Sequence, residues 1–446
     1  MSPLLFNIYV SDLIDSIKSN CNGIQIGGEN VCGLIYADDL ALIAGNEKEL
    51  QKMLVCLQVW CEKWKMTVNT TKSEIVHFRN KRVDRTLFKF TYNTNVMKMS
   101  NYYRYLGLVL NEYLDYQFTA NMVSKSAGRA LGLVIAKVKS TGGMPLSCFR
   151  KLYSNIVLPV IHYGSSIWGR KEYSCISAIH NRACRFILGV GKYTPNAAVM
   201  GDTGLFPPFI EQWCCITRTW CKNVNMDSNR LNKKIFLWAH RFAMAGKRNG
   251  LWHVRAMYKK CKLGTLLDVT LHQDKKCSTV FIRDVLCKQF ITKWESDIAG
   301  VNRKSSKLRT YCKLKHVFEP EMYLNCIMGR KIRSSYAKFR CGVAPLRIET
   351  GRYENLDLCE RLCIFCEGCI EDEFHVLTEC SLYSDIHNKL REAIIKVSIE
   401  YDLYSPEEKG VFILSVQDPY LISLCSKACN DILTRRQLFI NNFSLS

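Results

Sequence analysis

Apolar residues recur at helical spacing from the start of the chain, at Leu4/Leu5, Ile8, Leu13/Ile14 and Ile17. The spacing predicts a buried amphipathic helix, with Ser2 as N-cap and Pro3 at its first position. The period then changes. Cys32–Tyr36 and Leu40–Ala44 are short apolar runs flanking Ala37-Asp38-Asp39, which predicts a β-hairpin with two adjacent carboxylates at its tip. Asn46-x-x-Glu49 has the form of a capping box. It opens a helix whose stripe is Leu50, Met53/Leu54, Leu57, Trp60/Cys61 and Trp64. Met66–Phe78 reads as a turn into a strand, and Tyr103–Leu110 as a strand with Gly107 at a tight point.

Three basic amphipathic helices are expected next. Val123, Ala127, Ala130/Leu131, Val134 and Val138 form one stripe, with Lys125, Arg129, Lys137 and Lys139 off it. A second helix runs from about Ser147 to Leu158. A third carries Ile176, Ile179, Ala183 and Phe186/Ile187, with Arg182 and Arg185 outside. Residues 202–300 offer only Pro207-Pro208 as punctuation.

Charge narrows the function classes. Over 446 residues, 62 Lys+Arg against 40 Asp+Glu leave +22, which points to a polyanionic partner. Residues 303–340 hold 11 Lys/Arg and 2 Asp/Glu, from Arg303-Lys304 through Arg330, Lys331 and Arg333 to Arg340. Tyr311, Tyr323, Tyr336 and Phe339 are interleaved and suited to base stacking. The 23 cysteines do not suit a disulfide scaffold in so long a chain. No signal peptide and no run of 18 apolar residues is visible, so the expectation is a reduced, intracellular protein of nucleus and cytoplasm that does not enter a membrane.

Two patterns carry chemistry. Asp38 and Asp39 form the kind of carboxylate pair that Mg²⁺ takes beside substrate phosphates. A plain Asp turn is the alternative. Cys363-x2-Cys366-x8-His375-x4-Cys380 has the spacing and soft donors of a tetrahedral Zn²⁺ site. Cys359, Cys369 and His387 are rival ligands. Residues 361–446 hold 8 Lys/Arg and 13 Asp/Glu, so this zinc is expected to be structural rather than a phosphate clamp.

The order of these motifs resembles the C-terminal half of the reverse transcriptase palm of non-LTR (LINE-type) retrotransposons. Ser2-Pro3-Leu4-Leu5-Phe6 is similar to the family's template-and-nucleotide helix. Tyr36-Ala37-Asp38-Asp39 is similar to its catalytic hairpin, Asn69–Phe78 with Lys72 to the motif after the palm helix, and Tyr105-Leu106-Gly107 to the primer grip. The resemblance implies RNA-directed DNA synthesis. Asp38 would hold Mg²⁺ (or Mn²⁺), Asp39 would assist, Lys72 would lie near the departing pyrophosphate, and Tyr105, Leu106 and Gly107 would hold the primer end. It also implies an RNA template and a DNA primer or target as partners. The family's first metal-binding Asp lies upstream of the Ser-Pro-Leu-Leu-Phe helix, so these 446 residues are expected to be inactive alone and to need an N-terminal polymerase half.

The expected architecture is α+β: a partial palm over 1–112, a helical thumb over 113–200, a basic, mainly helical connector over 201–345, and a zinc module with tail over 346–446. Lys125, Arg129, Arg330, Lys331 and Arg333 are the expected nucleic-acid contacts. A non-catalytic nucleic-acid-binding remnant and a zinc-stabilised interaction protein are the alternatives.

Overall fold

A computed structural model describes residues 2–299, 306–366 and 368–443, and for Ser2, Pro3 and Phe443 the backbone alone. It is mixed α+β and mostly helical. The chain divides into two compact units, one of residues 1–122, 164–171 and 213–282, the other of 123–163, 172–212 and 283–446. No helix among the described residues is long and apolar enough to cross a membrane.

The first unit opens with two helices rather than one, α1 (Ser2–Tyr9) and α2 (Leu13–Asn20). They do not share a buried face. Leu13 and Ile17 are buried, whereas Leu4, Leu5 and Ile8 are exposed. Asp12, at the break, accepts from the Trp60 indole at 3.1 Å. Strands β1 (Ile24–Ile26) and β2 (Glu29–Val31) form one antiparallel pair, and β3 (Gly33–Tyr36) and β4 (Asp39–Leu42) another. Helix α3 (Glu47–Lys63) starts where Asn46 accepts from the Glu49 N–H at 2.9 Å. The capping box is only half made, because the Glu49 carboxylate accepts from Asn22 N–H instead, at 2.8 Å. Ile17, Cys32, Met53, Leu57 and Trp60 form the core, and Ile35, Leu40 and Leu42 of the hairpin pack on it.

The remaining strands are short: β5 (Glu74–Ile75), β6 (Thr91–Tyr92), β7 (Asn95–Val96) and β8 (Lys98–Met99), of which β5 and β8 pair in parallel. Tyr103–Leu110 is not one strand. It is a hairpin of β9 (Tyr102–Tyr105) and β10 (Leu108–Asn111). Leu106 and Gly107 both have positive φ, +46° and +80°, as a tight two-residue hairpin turn requires.

Helices fill the rest: α4 (Tyr116–Ser140), α5 (Leu146–Leu152), α6 (Leu158–His162), α7 (Ser165–Trp168), α8 (Ser174–Leu188) and α9 (Asn196–Thr203). A π-turn, Tyr153–Val157, joins α5 to α6. The Ala127, Leu131, Val134 and Val138 stripe of α4 is buried, as its period predicts. The stretch without clear sequence signals is also helical: α10 (Pro208–Val224), α11 (Leu231–Met244), α12 (Gly250–Lys260) and α13 (Lys275–Ala299). The last part holds α14 (Tyr311–Leu314), α15 (Arg330–Arg340), α16 (Arg347–Thr350), α17 (Glu373–Thr378), α18 (Ser384–Ile395), α19 (Pro406–Ser415) and α20 (Pro419–Phe443). The second unit buries a charged network. Arg340 donates to Asp202 through Nε at 3.0 Å and Nη2 at 3.1 Å, and also pairs with Glu321, itself paired with Lys315.

Candidate functional site

In the first unit, the β3–β4 register pairs Ile35 with Leu40 and Tyr36 with Asp39. Alternation therefore turns Gly33, Ile35, Leu40 and Leu42 to the core and Leu34, Tyr36 and Asp39 outward. A Cβ at Gly33 would come within 3.0 Å of Ile14 Cδ1 and 3.1 Å of Ala41 O, which explains the glycine. The turn is Ala37-Asp38, and Ala37 holds φ +51°, a conformation that costs a non-glycine residue energy and recurs at functional sites. Asp38 and Asp39 are both exposed, with Tyr36 67 % exposed beside them.

The second hairpin lies within reach of this charge. Burial raises the Tyr105 phenol, and the negative charge of Asp39 raises it further. Lys72 is exposed on a turn closed by its own N–H donating to Asn69 Oδ1 at 3.2 Å. Tyr103 O–H donates to the Lys72 carbonyl at 3.4 Å, which ties that turn to β9. Tyr103 thus ties the Lys72 turn to β9, and the charge of Asp39 is felt at Tyr105 on the same strand. Two oxygen-donor carboxylates fit a hard divalent cation, but they make only part of a two-metal set.

In the second unit, Lys125 and Arg129 are exposed on α4. Arg330 and Lys331 are exposed at the start of α15, with the Arg330 guanidinium 4.6 Å from the Phe186 ring centroid. Arg333 is different. It is 2 % exposed and donates to Met144 O at 2.8 Å, so it packs the interior and cannot meet a phosphate. Much of the basic stretch is likewise engaged internally: Lys307 pairs with Glu349, Arg309 with Glu373, Lys313 with Glu407 and Arg340 with Asp202. Tyr311, Tyr323, Tyr336 and Phe339 are all buried, so they are core rather than stacking platforms. Arg303 and Lys304 lie outside the described residues.

The Cys/His motif closes on itself. The ligand atoms of Cys363, Cys366, His375 and Cys380 all lie within 4.8 Å of one another. Cys363 N–H donates to Cys369 O at 2.7 Å, forming the knuckle. Asp372 caps α17 by accepting from His375 N–H at 2.9 Å, and Cys380 N–H donates to His375 O at 3.0 Å. Cys380 is 3.5 Å from Cys366 and 3.9 Å from Cys363, sulfur to sulfur. Burial pushes the Cys363 and Cys380 thiols up. Both ring nitrogens of His375 are buried without a hydrogen-bond partner, a cost that a metal bond to one of them would remove. The cluster can hold a metal ion. The rivals do not join it: Cys359 and Cys369 are exposed, and His387 Nε2 donates to Val376 O at 3.0 Å.

Glu371 and Glu373 inside this loop are not a surface acidic patch. Both are buried and paired, with Arg436 and Arg309 respectively. Sequence reading missed these pairs because their partners are 65 and 64 residues away.

Comparison with known proteins agrees with the hairpin geometry. Residues 1–110 match the family described as reverse transcriptase (RNA-dependent DNA polymerase). The chain is 20 % identical over 244 residues to the RNA-directed DNA polymerase from mobile element jockey of Drosophila melanogaster, covering 53 % of this chain and 26 % of that protein. It is 24 % identical over 216 residues to the probable RNA-directed DNA polymerase from transposon BS of the same fly, covering 46 % and 23 %. The probable RNA-directed DNA polymerase from its transposon X-element is 22 % identical over 258 residues, covering 56 % and 26 %. The chain thus spans about a quarter of the length of these relatives. The resemblance to the reverse transcriptases of non-LTR retrotransposons is borne out by these matches.

Proposed function

We propose that this chain is the C-terminal portion of an RNA-directed DNA polymerase of the non-LTR retrotransposon type. The observation that carries the reading is the exposed Asp38-Asp39 pair on a strained hairpin turn, inside the segment that matches reverse transcriptases. Asp38 and Asp39 would hold Mg²⁺ (or Mn²⁺), which when bound stabilises negative charge on the transferring phosphate. Lys72 would offset charge on the departing pyrophosphate. The Tyr105-Leu106-Gly107 turn would position the primer end. Lys125, Arg129, Arg330 and Lys331 would track the phosphates of an RNA template and a DNA primer or target.

Residues 1–112 would then act as a partial palm, 113–200 as a thumb, 201–345 as a connector and 346–446 as a zinc module, in a protein of nucleus and cytoplasm. The metal at Cys363, Cys366, His375 and Cys380 would be structural Zn²⁺. Among the described residues strand β3 pairs with β4 alone, and Leu34, Tyr36, Leu4, Leu5 and Ile8 are exposed in the same unit. This supports an upstream polymerase half that covers these side chains and supplies the remaining carboxylate. The two carboxylates alone favour a second reading for the 446 residues by themselves, nucleic-acid binding without catalysis.

Primer extension on an RNA template tests the proposal. The 446-residue chain alone should extend nothing. Joined to an upstream half, it should extend the primer, Asp38→Asn should abolish extension and Asp39→Asn should leave a trace. Dependable, Asp38-requiring extension by the 446 residues alone would overturn the incomplete-site reading. Extension by the joined protein that ignores Asp38→Asn would overturn the catalytic assignment.

A further inference from the structure

The helical rod over residues 146–162 changes pitch in its middle. At the π-turn, Leu158 N–H reaches back five residues to Tyr153 O. Pro159 follows immediately, and in a regular α-helix its ring would clash with the carbonyl four residues earlier. The wider turn relieves that clash. Such turns recur at functional sites, and here the second unit holds a cavity of about 370 Å³ beside it. That is within the range of small-ligand sites, about 300–1,000 Å³.

Tyr153 and His180 form the cavity floor, and both are buried. Their polar atoms are satisfied from within. His180 Nε2–H donates to Leu205 O at 3.3 Å, so Nδ1 is the acceptor for Tyr153 O–H at 3.0 Å. Each is only 1 % exposed, so the two rings close the cavity and leave contact with a guest to its other lining residues. Leu158, Phe206, Pro207 and Ile210 make the walls apolar. The rim is charged. Arg283 is paired with Glu211, which cancels the rim's carboxylate. Arg150 is exposed, and its guanidinium makes no hydrogen bond or ion pair with any described residue.

We propose that this cavity takes a nucleotide, with the base against the Phe206 and Pro207 wall and the phosphate at Arg150. The inference rests on the nucleic-acid reading above and adds a site to it. Apolar walls suit a base of any identity, since every base has an apolar π-face. An unpaired guanidinium on the rim suits a phosphate. A purely apolar guest would leave Arg150 idle, and inorganic phosphate would leave the walls idle. The nucleotide is either free or an unpaired residue of a single strand.

Cys287 lines the cavity and reports its occupancy. The reduced 446-residue chain is treated with N-ethylmaleimide, and each cysteine is followed by peptide mass spectrometry, with exposed Cys277 as internal control. The probes are adenosine monophosphate, an oligodeoxyadenylate and the same strand with abasic sites. At ten times its dissociation constant, a nucleotide in the cavity should slow Cys287 alkylation about tenfold and leave Cys277 unchanged. Protection by the mononucleotide assigns a free nucleotide. Protection by the intact strand alone assigns a base within a strand. Arg150→Ala should raise the protecting concentration about tenfold. Ser154→Phe, at an exposed lining position, should abolish protection by filling the mouth. The proposal is overturned if the abasic strand protects as well as the intact one, or if the strand binds by fluorescence anisotropy while Cys287 stays unprotected. In the latter case the nucleic-acid reading survives. If no nucleic acid binds even at low salt, both fail.

Discussion

Arg436 grips Glu371, in the loop between Cys366 and His375, with two hydrogen bonds, Nε to Oε1 at 2.7 Å and Nη2 to Oε2 at 2.6 Å. The side chains are 7 % and 1 % exposed. Glu371 also accepts from Arg347 N–H at 2.7 Å. One buried carboxylate thus joins α20, the start of α16 and the loop that presents Cys363 and Cys366. The Cys363–Cys380 loop is held from outside itself, Glu371 by Arg436 and Arg347 and Glu373 by Arg309.

Removing one member of a buried ion pair leaves the other charged and unpaired. Glu371→Ala is expected to destabilise the second unit by about 3–5 kcal/mol, measured by urea denaturation of the zinc-loaded chain. The double variant with Arg436→Met should recover part of that loss. If Glu371→Ala costs less than about 1 kcal/mol, water reaches the site and the pair is not a tie.

Zinc should bind at four named positions and no others. Cys380→Ser and His375→Ala are expected to lose the bound metal, measured by elemental analysis of the purified chain. Cys369→Ser should retain it, since Cys369 is exposed and contributes only its backbone carbonyl to the knuckle. Loss of a structural zinc withdraws about 10–16 kcal/mol of binding energy in peptide hosts, so the ligand variants should also lower the melting temperature. Metal lost in Cys369→Ser but kept in Cys380→Ser would reverse the assignment.

Arg330, Lys331 and Arg333 are neighbours in sequence but not in role. If Arg330 and Lys331 touch phosphate, replacing both with Ala should reduce the slope of log affinity against log salt by about 2. Arg333→Ala should leave that slope unchanged and lower stability, because the Arg333 guanidinium serves Met144 O inside the unit. A slope change for Arg333→Ala with unaltered stability would contradict its burial.

What the sequence made legible was local. The stripe of α4, the Asp38 turn and the closed Cys363–Cys380 motif all follow from spacing within a few residues to a few turns. What escaped depended on distant partners. The charges of residues 303–340 read as one basic face, yet Arg309, Arg340 and Lys307 meet acids that lie 64, 138 and 42 positions away. Period alone also cannot tell which apolar stripe is covered. Leu4, Leu5 and Ile8 repeat like Leu13 and Ile17, but only the latter are buried. The Leu106-Gly107 turn shows in the sequence only through Gly107, because Leu106 gives no turn signal although it too adopts positive φ.

His180 should make folding stability depend on acid in a defined window. It is fully buried on α8, and burial holds its pKa down from 6.5 to about 4, against a small opposing effect of its bond to Leu205 O. The groups facing it are Tyr153 O–H, Leu205 O and the Cys184 thiol, 3.7 Å from Nε2. None is an anion at neutral pH, since burial raises both the Tyr153 phenol and the Cys184 thiol. The neutral ring is therefore the folded form, while the unfolded chain protonates near 6.5. Above 6.5 neither state takes the proton and stability is at its plateau. Between 6.5 and about 4 the unfolded chain binds the proton and the folded chain does not, so stability falls as pH falls. A shift of this size corresponds to about 3 kcal/mol across the window. His180→Gln retains an acceptor for Tyr153 and a donor for Leu205 O but does not titrate. Its unfolding free energy, lower than that of the parent at pH 7.5, should close on the parent's by about 3 kcal/mol as the pH is brought to 4. Parallel pH profiles for the two proteins would mean that His180 is reached by water and titrates alike folded and unfolded.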